Sequence, residues 1–139
     1  MRHIRYLRGI GSEGAELTEI MPDPASARVL IVDDDDGLRR VYKRYLSEEG
    51  FRVAEAGSAE QALGLAESPD VILLDIRMPA TDVRRLMESL QERHPSAKIL
   101  VFSCHDLRAQ KELLQGAEHY FDKADGCEAL VSKLRTMLS

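Results

Sequence analysis

Two short apolar runs in this chain end abruptly in carboxylates. Val29-Leu30-Ile31-Val32 leads into Asp33-Asp34-Asp35-Asp36, and Val71-Ile72-Leu73-Leu74 leads into Asp75. Four consecutive β-favouring residues predict a strand buried on both faces, the kind found in parallel sheets. Open α/β sheets bind their ligands outside the carboxyl ends of the strands. With the two strands side by side, at least three carboxylates converge on one small pocket. Like charges that close raise one another's pKa or require a cation to stay ionised. The chemistry implied is a divalent metal held beside a reactive carboxylate. A lone Asp after a strand is ordinarily a turn former or a helix cap, and Asp35 and Asp36 are assigned that role. Asp33, Asp34 and Asp75 stand apart from it only jointly, through their two apolar strands.

The elements that must position these residues alternate strand and helix five times from Arg28 onward. The sequence predicts strands at Arg28–Val32, Phe51–Glu55, Asp70–Leu74, Lys98–Phe102 and Glu118–Phe121, the last being the most polar and so an edge candidate. Helix one carries Leu38, Val41, Tyr42, Tyr45 and Leu46 on one stripe, with Asp36 as its N-cap and Gly50 as its stop. Helix two is short and Ala-rich, with Ala59, Ala62, Leu63 and Ala66 facing inward. Helix three follows Met78-Pro79, presents Val83, Leu86, Met87 and Leu90, and closes at His94-Pro95. Helix four runs from Asp106 to Gln115 and ends at Gly116. Helix five, Gly126–Leu138, buries Leu130, Val131, Leu134, Met137 and Leu138. Five βα units with short loops predict a parallel sheet with helices on both faces and right-handed crossovers.

Composition narrows the function. The chain has 139 residues, enough for one sizeable core, with 44% apolar and 31% charged residues and no Trp, an ordinary globular balance. A formal charge of −5 gives no electrostatic footprint for nucleic acid. The basic residues Arg39, Arg40, Lys43 and Arg44 of helix one are expected to form a solvated face. Two cysteines, Cys104 and Cys127, make neither a metal-ligand spacing nor a disulfide framework, which points to a reduced, cytoplasmic protein. No apolar stretch approaches the roughly 20 residues needed to span a bilayer. Residues 1–26, punctuated by Gly9, Gly11, Gly14, Pro22 and Pro24 and without a sustained period, are expected to be a flexible arm ahead of a domain at 27–139. Met21, just before the folded region, leaves open an alternative start.

Two further strand-end residues complete a set. Ser103 follows strand four and Lys123 follows strand five. In this order, over residues 28–138, the set resembles the CheY-like receiver domain of two-component response regulators. The resemblance implies a flavodoxin-like (βα)5 three-layer sandwich whose five-stranded parallel sheet has the order 2-1-3-4-5. It implies Asp75 as phosphoacceptor, attacking the phosphorus of a phosphohistidine donor. Asp34 would ligate Mg²⁺ directly and Asp33 largely through water, with Asp75 and the main-chain carbonyl of Arg77 completing the protein ligands. Lys123 would supply a cation and Ser103 a hydroxyl to the phosphoryl oxygens. Ser103 and Tyr120 would form the switch, read out on the surface of helix four, strand five and helix five. The partners implied are a sensor histidine kinase or phosphotransfer protein, docking in part on helix one, and a downstream protein target. A homodimer through the output surface is also implied. Neither nucleic acid nor membrane is expected as a direct partner, and any output domain is expected to lie off this chain.

Departures from the family pattern carry their own expectations. Ala124 stands after Lys123 where the family has proline after a cis bond. A cis bond before a non-proline costs about 3 kcal/mol, so a trans Lys123–Ala124 bond and a rearranged loop are expected. Cys104 replaces a small residue, which narrows the path to the phosphoryl group and predicts slower phosphorylation or hydrolysis; a buried, inert thiol is expected over a redox sensor. Arg77 and His105 fall at positions that tune phosphoryl lifetime in the family, and two potential cations there predict a long-lived phosphoryl group. Val83 replaces a common glycine, and the short span from Ser103 to Lys123 predicts a truncated helix four. Two other readings compete: a Mg²⁺-dependent phosphatase or phosphotransferase using the same carboxylates, and a degenerate receiver acting as a phosphorylation-independent interaction module.

Overall fold

In a computed structural model of the chain, which describes residues 6–8, 17–19 and 26–139, every residue of the two apolar runs is buried. They form β1 (Arg28–Val32) and β3 (Val71–Leu74), which pair directly, Val32 opposite Leu74. The remaining strands are β2 (Arg52–Ala56), β4 (Lys98–Ser103) and β5 (His119–Asp122). All pairings are parallel and the order is β2-β1-β3-β4-β5, the predicted one. Helices α1 (Asp36–Glu48), α2 (Ala59–Gly64), α3 (Val83–Arg93), α4 (Leu107–Leu113) and α5 (Gly126–Leu138) alternate with them. A 3₁₀ turn, Lys123–Asp125, separates β5 from α5. Ahead of the sheet, two three-residue strands, Tyr6–Arg8 and Leu17–Glu19, pair antiparallel; most of the arm expected at residues 1–26 lies outside the described residues.

Strand alternation divides the sheet's side chains between two cores. Val29, Ile31, Val71, Leu73, Leu100, Phe102 and Phe121 pack against α1 and α5. Leu30, Val32, Ile72, Leu74, Ile99 and Val101 pack against α2, α3 and the end of α4. Continuous apolar runs are therefore what a sheet covered on both faces demands.

Several local expectations need correction. Asp35, not Asp36, caps α1, accepting the Leu38 N–H at 3.0 Å. Ser58, Asp82 and Asp106 cap α2, α3 and α4 in the same way. The buried stripe of α1 is Arg39, Tyr42 and Leu46, with Leu38 and Tyr45 half-buried. That stripe is centred between Tyr42 and Leu46, so Val41 falls at its margin and is 57% exposed, while Arg39 turns inward. Ala66 lies beyond the end of α2 and is exposed. Helix α4 is short, as the span between Ser103 and Lys123 predicted. Ser103 is the last residue of β4, opposite Asp122, rather than the first residue beyond it.

Candidate functional site

Register delivers the carboxylates. Val32 and Leu74 are partners in the ladder, so Asp33 and Asp75 are the next row, at the carboxyl edge of neighbouring strands. The Asp75 N–H donates to the Val32 carbonyl and the Asp33 N–H to the Ala56 carbonyl, both at 3.0 Å, which fixes the two backbones there. One ligand oxygen from each of Asp33, Asp34 and Asp75 lies within 4.8 Å of the others. Asp33 and Asp75 are buried and Asp34 is exposed. Alternation puts Lys123 on the same side of the sheet as Phe121 and Phe102. Its Nζ donates to Asp33 Oδ2 at 2.8 Å and Asp75 Oδ2 at 3.2 Å, and sits 4.7 Å from the centre of the Phe102 ring. The other oxygens are also engaged: Asp33 Oδ1 accepts the Asp35 N–H at 2.9 Å, and Asp75 Oδ1 accepts the Arg77 N–H at 2.8 Å.

Burial pushes the Asp75 carboxyl above the usual range, and the neighbouring Asp33 charge adds to this. The Arg77 N–H and the Lys123 charge oppose the rise without cancelling it. For Lys123 burial acts to lower the pKa, but the bond to Asp33 and the charges of Asp75 and Asp33 outweigh it, so the ammonium is held above its usual value. Three carboxylates and one ammonium leave a deficit of two positive charges in a cleft of about 740 Å³, also lined by Leu38, Ile76, Met78 and Pro79. Clustered hard oxygen donors with that deficit suit a divalent cation of the Mg²⁺ or Ca²⁺ type. The donor set fits the metal the sequence implied.

Two residues brace the site that its sequence pattern did not single out. Arg39 Nη1 donates to the Asp33 carbonyl at 2.6 Å, Nη2 to Asp36 at 2.6 Å and Nε to Glu55 at 3.2 Å. This clamp holds the acidic loop against β2, and a Cβ at Gly57 would meet Arg39 Nη1 at 3.1 Å. Arg39 is therefore buried, not part of a solvated face, because the Asp33 carbonyl and Glu55 lie beneath α1. On the far side, Gln110 is fully buried, and its Nε2 reaches the carbonyls of His105 at 2.6 Å, Phe121 at 2.7 Å and Ser103 at 3.4 Å. The available signal was position: Arg39 precedes Tyr42 by three residues and Gln110 precedes Leu114 by four, polar members of apolar stripes.

Residues 29–135 match the response regulator receiver domain family. The chain belongs to that family. Among curated relatives, the response regulator MprA of Mycolicibacterium vanbaalenii is 33% identical over 115 residues, 80% of this chain and 50% of MprA. The receiver domain thus spans about half the length of the curated relatives it matches. Among solved structures, a CheY-like receiver domain protein from Methanospirillum hungatei JF-1 superposes with a TM-score of 0.72 at 26% identity, covering 81% of this chain and 94% of the other. Response regulator protein TrrA from Thermotoga maritima, in complex with Mg(2+)-BeF, does so at 0.67 and 27% identity, covering 81% and 99%.

The receiver domain gathers some of the expected residues and separates others. Asp33, Asp34, Asp75, Arg77, Cys104 and Lys123 line one cleft. Ser103 is fully buried behind it, its Oγ accepting the His105 N–H at 3.4 Å. Half-buried Tyr120 faces away from the cleft and donates its hydroxyl to the Leu114 carbonyl at 2.6 Å. Cys104 is exposed rather than buried: it is the first residue past β4, beyond the reach of either core. The Lys123–Ala124 bond is trans, as expected, and the altered loop is the 3₁₀ turn, with Asp122 Oδ1 accepting the Ala124 N–H at 2.9 Å. Among the described residues no helix is long and apolar enough to cross a membrane.

Proposed function

We propose that this receiver domain is a phosphorylation switch: it accepts a phosphoryl group on Asp75 from a cytoplasmic sensor histidine kinase or phosphotransfer protein, with Mg²⁺, and presents an altered α4–β5–α5 surface to a protein partner. The observation that carries this reading is the convergence of three carboxylates on one cleft, two of them bridged by the Lys123 ammonium. Similarity to a receiver solved with Mg(2+)-BeF supports it.

An Asp75 carboxylate oxygen attacks phosphorus; the new O–P bond forms as the donor's N–P bond breaks, and the imidazole nitrogen leaves with the electron pair. Lys123, held protonated, shifts its hydrogen bonding from Asp75 to a phosphoryl oxygen. The Ser103 hydroxyl proton is available for a second phosphoryl oxygen, since its Oγ makes only one long acceptor bond. A divalent cation held by Asp33, Asp34, Asp75 and the Arg77 carbonyl would supply the neutralising charge that phosphoryl transfer needs. Arg77 and Cys104, in the cleft wall, narrow the approach of water, and with His105, two residues past Ser103, they favour a long-lived acyl phosphate. The chain acts by shifting a population, not by turning over a substrate.

Intact-mass measurement after incubation with acetyl phosphate and Mg²⁺ tests the reading. Wild type gains one phosphoryl group; Asp75→Asn, or wild type with EDTA, gains none. Absence of the adduct in the wild type, with Mg²⁺ binding verified, would replace the switch with a phosphorylation-independent module.

A further inference from the structure

The geometry points to Gln110 as a positioning residue of the switch: its buried amide ties the hydroxyl-bearing arm of the site to the lysine-bearing arm through α4, so that movement at the cleft is carried to the α4 surface. This rests on Asp75 being a phosphoacceptor, as proposed above.

Three carbonyl oxygens surround one atom of the Gln110 amide, so that atom must be the nitrogen. An NH₂ group has two protons. The two short bonds, to His105 and Phe121, take them, and Ser103 shares one at longer range. His105 and Ser103 belong to the arm that carries the hydroxyl; Phe121 lies two residues before Lys123 on the arm that carries the cation. These two arms border the same phosphoryl position from different strands, β4 and β5, and Gln110 joins them from behind.

Helix α4 is thereby tethered to β5 in both directions. Gln110 of α4 donates to the backbone of β5, and Tyr120 of β5 donates to the backbone at the end of α4, the Leu114 carbonyl. This seven-residue helix leaves Leu107 and Leu113 exposed, so these bonds and buried Leu114 at its end set its placement. The second amide atom, Oε1, is buried and has no hydrogen-bond partner. A buried acceptor left unpaired destabilises the arrangement that contains it, which biases α4 toward any neighbouring position where Oε1 meets a donor. Displacement of Ser103 toward a phosphoryl group pulls on the carbonyl that Gln110 holds, and Gln110 carries that pull into α4.

The test compares wild type, Gln110→Asn and Gln110→Met, reading two quantities separately. Intact mass follows Asp75 phosphorylation by acetyl phosphate with Mg²⁺. Hydrogen exchange follows the backbone amides of residues 104–114 and 119–122 with and without phosphorylation. The expected result is that Gln110→Met is phosphorylated to full stoichiometry, yet shows roughly a twofold or greater loss of the exchange change in 104–114. Asn, with the amide one methylene short, falls between. If Met prevents folding, the Asn variant alone carries the comparison, and its response must be smaller than wild type. An undiminished response in phosphorylated variants overturns the assignment, as does slowed phosphorylation with the response intact, which would place Gln110 in acceptor geometry. A wild type that takes no phosphoryl group removes the proposed function itself, and the inference with it.

Discussion

At the scale of single residues the site is a compromise between charge and burial. Asp75 has a folded pKa raised above 3.8 by burial and by the neighbouring Asp33 charge, so between 3.8 and that raised value the native state binds its proton more readily than the unfolded chain does. Its ionisation therefore costs stability as pH rises through that window, and the loss persists at neutral pH. Asp75→Asn removes the loss while Lys123 keeps Asp33 as its closer partner at 2.8 Å. Without divalent metal at pH 7, the expected result is a gain of about 1 kcal/mol, or roughly 3 °C in Tm. The gain shrinks toward zero as the pH is taken below 3.8, and calorimetry across that range checks both statements. A lower Tm for the variant at pH 7 would mean that the Lys123–Asp75 contact outweighs the repulsion.

At the scale of elements, the loop from β3 into α3 holds a strained residue. Ala80 has φ of 58°, the left-handed region, inside the turn closed by the Thr81 N–H on the Met78 carbonyl. A side chain there costs about 1–2 kcal/mol in the folded state, whereas glycine adds about 0.4–1 kcal/mol of unfolded-chain entropy. Ala80→Gly is thus expected to stabilise by about 0.5 kcal/mol, seen as a higher urea midpoint at constant m-value. The elements themselves were largely legible, because continuous four-residue apolar runs have few alternatives once helical stripes separate them. Site residues at strand ends were legible for the same reason: burial of the strand dictates where its terminal carboxylates must sit. What stayed hidden depends on rotation and contact. Arg39 and Val41 are both plausible on a helix drawn in isolation; only the acidic loop and Glu55 beneath α1 decide which turns in. Gln110 finds its role through backbone carbonyls, which every sequence has and none displays. Cys104 is exposed because it is the first residue past β4, where neither core reaches.

At the scale of the whole molecule, two cores share one sheet, and titration at the end opposite the cleft also governs stability. His94, the C-cap of α3, is buried, with Nδ1 3.3 Å from Ser68 Oγ and Nε2 lacking any hydrogen-bond partner. Burial, assisted by the Arg93 charge, holds its pKa below 6.5. The unfolded chain therefore binds the proton first, so this contribution is complete above pH 6.5 and is lost as pH falls from there through the folded value. One proton gives a slope of at most about 1.4 kcal/mol per pH unit. Urea titrations between about pH 5 and 8 are expected to show that decline in the wild type and a flatter profile in His94→Gln; equal slopes would remove His94 as the cause. The Lys123 bridge has a different reach, because its bonds to Asp33 and Asp75 span 90 and 48 residues. A chain grows from its amino end, so β1, β2 and β3 are all made before their cation is. Until β5 docks, the two carboxylates face each other without an ammonium and keep their water. Drying of this corner therefore waits on the edge strand β5, whose docking brings Lys123 to both carboxylates.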